Sequence, residues 1–335
     1  MRHKTPQQPS NAALGLTIVL LGAAFFCVQN LVVRVLYRPQ LILGWFETGG
    51  FVPPNLHMSL LLLVLRTVWV VPLMSLCIPA VYAPLWPDLR RLTQPAQRLA
   101  LKLTLLGGVL MFTYLVLLYL AIGLVPTGVA LTLFFTFPVF TAIFTWLWFG
   151  ERPSLWRWLI MGCILGGSML TIPKVEATSG LALLSSTGLG VTLGIASGVA
   201  YALYTVVAQK SFAQVHPIPY TWVSFAVTCG LSGLLMVLWP LADWRLDWWG
   251  LAVGSLLSAI ATALGHVLNN LGIQRIGATT ASMIGAMNPV LTALLAWVLL
   301  QETLTPLQGL GVLVVAGSVT LLAWMPSASR RGAAN

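Results

Sequence analysis

Long apolar stretches follow one another along the chain and are separated by short polar segments. Within these stretches apolar and polar residues rarely alternate, which favours α-helices over β-strands. A helix of roughly 18 or more apolar residues is long enough to cross a lipid bilayer. We therefore predict an all-α, polytopic membrane protein with about ten spans, at 12–34, 59–83, 99–121, 124–149, 155–173, 187–209, 220–241, 249–272, 276–300 and 307–325.

The composition agrees with a protein that is solvated by lipid. Hydrophobic residues make up 58% of the chain and charged residues only 7%, whereas soluble domains carry about 25% charged residues. A net charge of +10 would suggest nucleic-acid binding in a soluble protein. Here the charges lie in short loops, where they set the orientation of spans, so we expect the bilayer as a partner and no nucleic acid.

The positive side chains are distributed unevenly between alternate loops. Of the 17 Lys and Arg residues, twelve fall on one side of the predicted spans, four fall on the other, and Arg66 lies within a span. Because positive loops mark the cytoplasmic face, we predict that both termini are cytoplasmic. A basic, short-tailed chain without a cleaved signal favours a bacterial inner membrane, with a plastid or other organelle membrane as the alternative. The apolar run 12–36 is too long for a typical signal peptide and predicts a retained first span.

A segment in the middle of the chain is repeated near its end. Residues 124–172 align with residues 275–323 without a gap. The register pairs Glu151 with Glu302, Pro138 with Pro289, Trp146 with Trp297 and Gly166 with Gly317. Several like pairs in one register indicate an internal duplication.

The duplication divides the chain into two halves, residues 1–174 and 175–335, with five predicted spans each. The first spans also match, since 14–34 aligns with 189–209. An odd number of spans makes the second half enter the membrane from the opposite side, so we predict inverted repeats, with a substrate site between them near the midplane.

The first half is longer than the second, and we place the extra residues in the segment 37–57, on the outer side. This segment is rich in Pro, Gly and aromatic residues. Two interpretations remain open: an interfacial re-entrant loop without chemistry, and a lid over the outer mouth.

Each half closes with the same pattern: an apolar span that contains a proline, a glutamate at its end, and a glycine-containing final span. The two copies read PVFTAIFTWLWFGERPSLWRW from Pro138 and PVLTALLAWVLLQETLTPLQGLG from Pro289. This pattern resembles the drug/metabolite transporter superfamily, and within it the EamA-type ten-helix transporters. The resemblance implies a substrate-translocating membrane protein with cytoplasmic termini, and leaves the substrate open. Leu63 to Arg66 likewise resembles the Arg-bearing second span of such proteins.

The paired glutamates, Glu151 and Glu302, precede predicted helix starts. Ser154 and Thr305 are suitable N-caps, and Pro306 suits the first helical position. A carboxylate near a helix N-terminus is stabilised by the helix dipole. We assign the glutamates a structural role, with gating or ion coupling as the alternative.

The paired prolines, Pro138 and Pro289, lie in mid-span. Proline removes a backbone hydrogen bond, so we predict a bend that suits a cavity wall or hinge; packing alone is the rival explanation. Small residues at four-residue spacing predict close helix packing, at Gly190, Gly194 and Gly198 and at Gly162 and Gly166.

Polar side chains deep in a span usually face a cavity or a partner. His266, Asn269 and Asn270 lie at i, i+3 and i+4 and share a face of the eighth span. The candidates for a substrate cavity are His266, Asn269, Asn270, Asn288, Tyr119, Gln29, Asn30, Tyr201, Tyr204 and Arg66. The rival interpretations are a packing histidine, hydrogen bonds between helices, and an Arg66 that extends outward or pairs with a carboxylate instead of binding an anionic group.

Sequence motifs of other chemistries are missing. The chain has no GxxxxGK[ST], HExxH or metal-spaced Cys/His set, and no Asp or Glu lies clearly inside a predicted span. We therefore predict no cofactor, no metal and no enzymatic activity, with His266 as the candidate carrier if protons drive transport.

The leading hypothesis is a secondary transporter that exports small organic solutes, such as amino acids or metabolites. An intramembrane enzyme acting on a lipid-borne substrate and a non-transporting scaffold are the alternatives. The sequence does not indicate an oligomeric state.

Overall fold

The computed structural model of the protein describes residues 9–53, 56–125, 127–171, 186–238, 246–300 and 305–324. Within these ranges the chain forms α-helices, one 3-10 helix (Pro95–Gln97) and one two-stranded sheet. The elements are α1 (Pro9–Tyr37), β1 (Pro39–Ile42), β2 (Phe46–Gly49), α2 (Leu56–Val81), α3 (Leu85–Leu92), α4 (Arg98–Leu124), α5 (Thr127–Phe134), α6 (Phe137–Phe149), α7 (Leu155–Thr171), α8 (Ser186–Ser211), α9 (Pro217–Leu238), α10 (Trp248–Ile276), α11 (Ala278–Gly285), α12 (Asn288–Leu299) and α13 (Pro306–Trp324).

Seven helical segments of the described residues, 22 to 29 residues long, are long and apolar enough to cross a membrane. At about 1.5 Å per residue they match a hydrocarbon core of roughly 30 Å. They coincide with seven of the predicted spans: the first three, and the sixth to the ninth. The remaining three predicted spans contain the shorter apolar helices α6, α7 and α13. The chain is an integral membrane protein, and the number of crossings stays a prediction.

The spans that carry the paired prolines are broken rather than bent. The first is divided between α5 and α6 and the second between α11 and α12, and Pro138 and Pro289 each lie in the first turn after the break. At each break a backbone N–H reaches only the carbonyl three residues back, from Thr136 to Leu133 at 3.2 Å and from Met287 to Ile284 at 3.1 Å. The predicted bend is therefore too mild: the proline supplies no N–H to the helical ladder, and at these two positions the preceding residues also close the helix as a tight turn.

Neighbouring helices cover the backbone at both breaks. Ser168 of α7 donates a hydrogen bond to the carbonyl oxygen of Ala286 at 2.8 Å. Gly198 of α8 lies so close to the other break that an added Cβ would be 2.9 Å from the carbonyl oxygen of Phe134. Polar backbone that a proline frees is thus buried in protein, as a membrane-embedded break requires.

Close packing explains one of the two glycine groups and not the other. A Cβ at Gly190 would lie 2.5 Å from the side chain of Val125, so α8 approaches its neighbours where the sequence predicts. A Cβ added at Gly162 or Gly166 would meet no heavy atom of the described residues within 4 Å. The prediction of close helix packing at these two positions is wrong, since this face of α7 has no neighbour among the described residues.

The helix contacts repeat when the two halves of the chain are exchanged. The helix α1 packs against α10, and its repeat counterpart α8 packs against α4. In the same way α2 packs against α9 and α7 against α13, which are pairs of equivalent helices. Most of the described core therefore lies between the halves.

The segment 37–57 contains a β-hairpin, which the sequence pattern does not predict. β1 and β2 pair antiparallel, with Ile42 opposite Phe46. Leu43 and Gly44 in the turn have positive φ values of 52° and 77°. The Leu43 N–H donates to the carbonyl oxygen of Leu299 at 2.7 Å, so the hairpin is attached to the end of α12.

Both predicted N-caps are present. The Ser154 hydroxyl accepts from the Arg157 N–H at 3.4 Å. Thr305 and Gln308 form a reciprocal capping box, in which the Gln308 N–H donates to the Thr305 hydroxyl at 3.3 Å and the Thr305 N–H donates to the Gln308 side chain at 2.9 Å. Glu151 is exposed next to the first cap, and Glu302 lies outside the described residues.

Candidate functional site

Buried aromatic rings gather around α8, in the middle of the protein. Tyr201 contacts Tyr114 of α4 and Phe137 of α6 in T-shaped pairs, with ring centroids 4.9 and 4.7 Å apart. Tyr204, one helical turn further on, is fully buried and lies beside Tyr220 of α9. Both Tyr201 and Tyr204 are candidates for a substrate cavity, and the structure places them in one aromatic cluster that connects α4, α6, α8 and α9.

His266 of α10 lies at the edge of this cluster. Its ring meets Phe26 of α1 at 4.9 Å and Phe225 of α9 at 5.2 Å, edge to face, and lies 6.2 Å from Tyr204. The imidazole is buried, and its Nδ1 atom has no hydrogen-bond partner among the described residues. A packing histidine would normally have a partner for a buried ring nitrogen. Nδ1 is therefore a candidate for a hydrogen bond to a solute or a water molecule.

Asn270 is fully buried one turn after His266. Its amide nitrogen donates to the Tyr204 hydroxyl at 3.0 Å and to the Thr221 hydroxyl at 2.9 Å. Its carbonyl oxygen, Oδ1, has no partner among the described residues. One side of this amide therefore ties three helices together, while the other side is free to accept a hydrogen bond.

A stripe of polar residues runs along one face of α10. We call it the polar stripe: Ser258, Thr262, His266 and Asn270, at four successive i+4 positions. Each of the four is buried, and each has a polar atom without a partner in the described part of the chain. Native proteins leave few buried polar atoms unpaired, so these four residues are candidates for contact with water or solute.

Arg66 of α2 is buried, with 5% of its surface exposed. Its Nη2 atom donates to the Tyr119 hydroxyl at a long 3.4 Å, and its Nε atom has no partner among the described residues. The burial excludes an extended arginine that reaches the surface. The structure thus brings together two of the predicted candidates, Arg66 and Tyr119, in the core between α2 and α4.

The other candidates lie outside this centre. Asn269 is buried, and its backbone N–H faces Gly22 of α1 rather than the aromatic cluster. Asn288 is half-buried at the second break, where its backbone and side-chain oxygens accept from the Cys27 thiol at 3.5 and 3.8 Å. On α1, Gln29 is half-buried and Asn30 is exposed, although their repeat counterparts in α8, Tyr204 and Thr205, are fully buried.

Buried threonine hydroxyls form a connection that the sequence reasoning misses. Thr205 of α8 lies 3.5 Å from Thr141 of α6, and Thr145, one turn further on, hydrogen-bonds to Thr279 of α11 at 2.6 Å. These contacts join the first broken span to α8 and to the second broken span. Threonine is only weakly polar, so hydropathy does not distinguish it within an apolar span. The i, i+4 spacing of Thr141 and Thr145 is the sequence feature that could have indicated a shared polar face.

A second polar group lies outside the membrane-spanning helices, where α2, α3 and α9 meet. The Tyr82 hydroxyl donates to Asp88 at 2.6 Å, and the Tyr82 ring stacks on His216 at 4.3 Å. Burial, and then the Asp88 hydrogen bond, raise the pKa of Tyr82 to about 12. Burial lowers the pKa of His216, Asp88 opposes this shift, and Arg275 adds to it. This group connects the loop after α2 with the loop before α9.

Similarity to known proteins agrees with this geometry. The EamA-like transporter family matches residues 55–172 and 188–324, which is most of the chain in two copies. The Uncharacterized transporter sll1319 of Synechocystis sp. is 50% identical over 309 residues, 92% of this chain and 93% of that protein. The Threonine/homoserine exporter RhtA of Escherichia coli (strain K12) is 29% identical over 209 residues, 60% of this chain and 64% of that exporter.

The fold also matches a known crystal structure. That structure covers 94% of this chain and 98% of its own chain with a TM-score of 0.69, at 19% sequence identity. It shows that the helices are arranged as in another solved protein and says nothing about a substrate. The two family matches and the 50% identical relative identify a membrane-embedded transporter of small solutes. The chain belongs to the EamA-like transporter family.

Proposed function

We propose that the protein is a secondary transporter that exports small organic solutes, such as amino acids or metabolites. It works by alternating access between two inverted five-helix repeats, residues 1–174 and 175–335. It resides in a bacterial inner membrane with both termini in the cytoplasm. The proposal extends the family assignment to direction, mechanism and location.

The polar stripe on α10 is the observation that carries this proposal. Its four polar residues lie in a helix of 29 residues that is long enough to span the bilayer. Water or solute along the stripe would satisfy the unpaired atoms of Ser258, Thr262, His266 and Asn270. In a non-transporting scaffold, an apolar face at these positions would be more stable than a row of unpaired polar groups.

The exchange of helix contacts between the halves supports inverted repeats. In the proposed numbering of spans, the first span of each half packs against the third span of the other half, as α1 does with α10 and α8 with α4. Two five-span halves related by an axis in the membrane plane produce this pattern, and alternating access then exchanges the roles of the halves.

The broken spans supply the moving parts in this proposal. Each break lies beside the proline of one repeat, Pro138 or Pro289, where the helical hydrogen-bond ladder lacks an N–H donor. Discontinuous helices near the midplane are a recurrent feature of transporter binding sites. We assign the two breaks the role of hinges, with Glu151 and Glu302 as structural residues at the ends of the same spans.

The proposed solute path has a polar side and an aromatic side. His266, Asn270 and Arg66 supply the polar groups, and Tyr119, Tyr201 and Tyr204 supply the rings. Four further candidates could contact the solute in other conformations of the transport cycle: Asn269, Asn288, Gln29 and Asn30.

The direction and orientation rest on a relative and on the loop charges. The relative in Escherichia coli is named an exporter of threonine and homoserine, which favours export and amino acids for this chain. The excess of Lys and Arg in one set of loops supports cytoplasmic termini.

Transport of radiolabelled solutes into proteoliposomes tests the function. The panel contains L-threonine, L-homoserine, other amino acids and common metabolites, each measured with and without an imposed solute or proton gradient. We expect protein-dependent flux of at least one solute, saturable and lost in protein-free vesicles. No flux for any member, with a protein that remains folded, overturns the transport proposal.

A variant within the stripe tests the path itself. Thr262→Val replaces a buried hydroxyl that has no partner among the described residues with a methyl group of similar size. We expect flux to fall about tenfold while stability is unchanged or higher, because no protein hydrogen bond is lost. Thr228→Val is the matched control, since the Thr228 hydroxyl already has protein acceptors, the carbonyl oxygens of Ser224 at 2.8 Å and Gly108 at 3.4 Å; it should leave flux intact. Equal flux in Thr262→Val and wild type argues against a path along α10.

A further inference from the structure

Arg66 has no counter-charge among the described residues. Within the described ranges, none of the carboxylates forms an ion pair with it; these are Glu47, Asp88, Glu151 and Asp247. Its only hydrogen bond in the described protein is the long contact with the neutral hydroxyl of Tyr119. The guanidinium nevertheless stays charged, because arginine does not lose its proton in proteins.

An unpaired charge in this position is costly for the empty protein. A buried ion without a partner loses its hydration and gains little in return. Arginine within a membrane-spanning segment is rare and marks a functional site by default. Arg66 is buried in α2, which is one of the seven long apolar helices of the described residues, so a ligand that carries negative charge would remove the imbalance.

The surroundings of Arg66 define the kind of anion. No second Lys or Arg lies well inside a predicted span, so one guanidinium must balance the whole ligand charge. This favours a monoanion over a doubly charged phosphate. Guanidinium and carboxylate also match in planar, two-pronged geometry. A carboxylate is therefore the group that fits.

The location of Arg66 also fits a solute with an apolar part. Its hydrogen-bond partner Tyr119 lies on α4, which also carries Tyr114, and α2 packs against α10, which carries His266. Tyr114 belongs to the aromatic cluster, and His266 to the polar stripe. The helix α2 packs against α10 and α9 of the second half. A carboxylate at Arg66 would leave the rest of the solute between the rings and the stripe.

We propose that Arg66 binds the carboxylate of the transported solute, with the Tyr119 hydroxyl beside it. This inference rests on the proposed function and narrows it to solutes that carry a single carboxylate. The ammonium group of an amino acid is then left to neutral acceptors, of which the unpaired Oδ1 of Asn270 is one.

Binding by the purified protein in detergent tests the proposal without transport. The probes are L-threonine, L-phenylalanine and a short monocarboxylate, each compared with its carboxamide. We expect at least one acid to raise the melting temperature, its carboxamide to bind at least tenfold more weakly, Arg66→Gln to lose this preference and Arg66→Lys to recover part of it. Arg98→Gln is the matched control, because Arg98 is exposed and outside the aromatic cluster. A carboxamide that binds as well as its acid overturns the proposal.

The ligand-free protein supplies a second readout, which does not need the right solute. Arg66→Met removes an unpaired buried charge and keeps an apolar side chain, so we expect a higher melting temperature than wild type in buffer without carboxylates. A lower melting temperature means that Arg66 is paired within the protein and overturns the proposal. If a solute without a carboxylate is transported equally by wild type and Arg66→Gln, the carboxylate proposal is overturned and the transport proposal stands. If a carboxylate binds at Arg66 but no solute is transported, the transport proposal is overturned and carboxylate binding stands.

Discussion

The side-chain amide of Asn270 donates to the hydroxyl of Tyr204 at 3.0 Å, deep between α10 and α8. The register that pairs Glu151 with Glu302 also pairs Tyr119 with Asn270 when it is extended towards the N-terminus. Tyr119, however, accepts a hydrogen bond from Arg66. Equivalent positions therefore have different partners in the two halves. A duplicated scaffold has acquired an asymmetric centre, as recognition of an asymmetric solute requires.

The Asn270–Tyr204 contact should be measurable as a coupling. Asn270→Ala and Tyr204→Phe each remove the hydrogen bond, at a cost of about 1 kcal/mol in stability. In a double-mutant cycle we expect a coupling of about 0.6 to 1.5 kcal/mol, since hydrogen bonds between membrane helices are modest. Unfolding in mixed detergent measures all four proteins.

Tyr220→Phe is the control for this cycle. The Tyr220 hydroxyl is buried without a partner in the described residues, so its removal should not reduce stability. Zero coupling between Asn270 and Tyr204 would mean that their contact contributes nothing to the fold.

The two helix breaks should matter for transport more than for folding. Pro138→Ala and Pro289→Ala permit a continuous helix and restore a backbone hydrogen bond of about 1 kcal/mol. We expect flux in proteoliposomes to fall about tenfold or more, with the melting temperature unchanged or higher. Pro72→Ala is the comparison, because α2 continues through Pro72 without a break. Full flux in both break variants would exclude the breaks as hinges.

The capping box at the start of α13 should contribute to stability. Thr305→Ala removes the hydroxyl that accepts from the Gln308 N–H, and we expect a loss of about 1 kcal/mol. Thr305→Ser keeps the hydroxyl and should lose little. Ser154→Ala should cost less than Thr305→Ala, since the Ser154 cap is longer and not reciprocal. The melting temperatures of the three variants in detergent give the order, and the reverse order contradicts it.

The folded protein should lose stability in acid because of His216, which stacks on Tyr82. Burial lowers the pKa of His216 below its ordinary value of 6.5, so the unfolded chain binds a proton more readily than the folded protein. The stabilising contribution is complete above pH 6.5 and is lost as the pH falls from 6.5 through the lowered pKa. We expect the melting temperature to decline in this window.

His216→Phe keeps an aromatic ring on Tyr82 and cannot titrate. The difference in melting temperature between wild type and this variant should therefore change with pH below about 6.5 and be constant above it. Taking this difference removes the contribution of the carboxylates, which titrate in both proteins. A difference that is constant from about pH 7.5 to about pH 5 contradicts the assignment.

The membrane-spanning character of the chain could be predicted from its sequence because hydropathy acts locally. Long apolar helices, the caps at Ser154 and Thr305, and the positions of Pro138 and Pro289 all follow from residues within a few turns of each other. The complete break of the helix at each proline cannot be predicted in this way. It depends on whether neighbours such as Ser168 and Gly198 can cover the exposed backbone.

The site was only partly predictable for a related reason. His266 and Asn270 stand out as polar residues in an apolar span, whereas the stripe needs Ser258 and Thr262, which resemble ordinary small residues. That Arg66 has no carboxylate nearby among the described residues is a property of the packed protein, visible only once other helices surround it. The hairpin was missed because its pairing depends on a turn with a positive φ at Leu43, a residue that rarely adopts one.

The hydrogen bond from the Leu43 N–H to the Leu299 carbonyl joins a segment found only in the first half to the second broken span. If α12 tilts during turnover, the hairpin must tilt with it or release that carbonyl. Trp45, at the tip and 92% exposed, would then be carried along as a natural fluorophore. The insertion thus links an exposed indole to the second broken span, and the difference in fluorescence between wild type and Trp45→Phe separates its signal from that of the other 13 tryptophans.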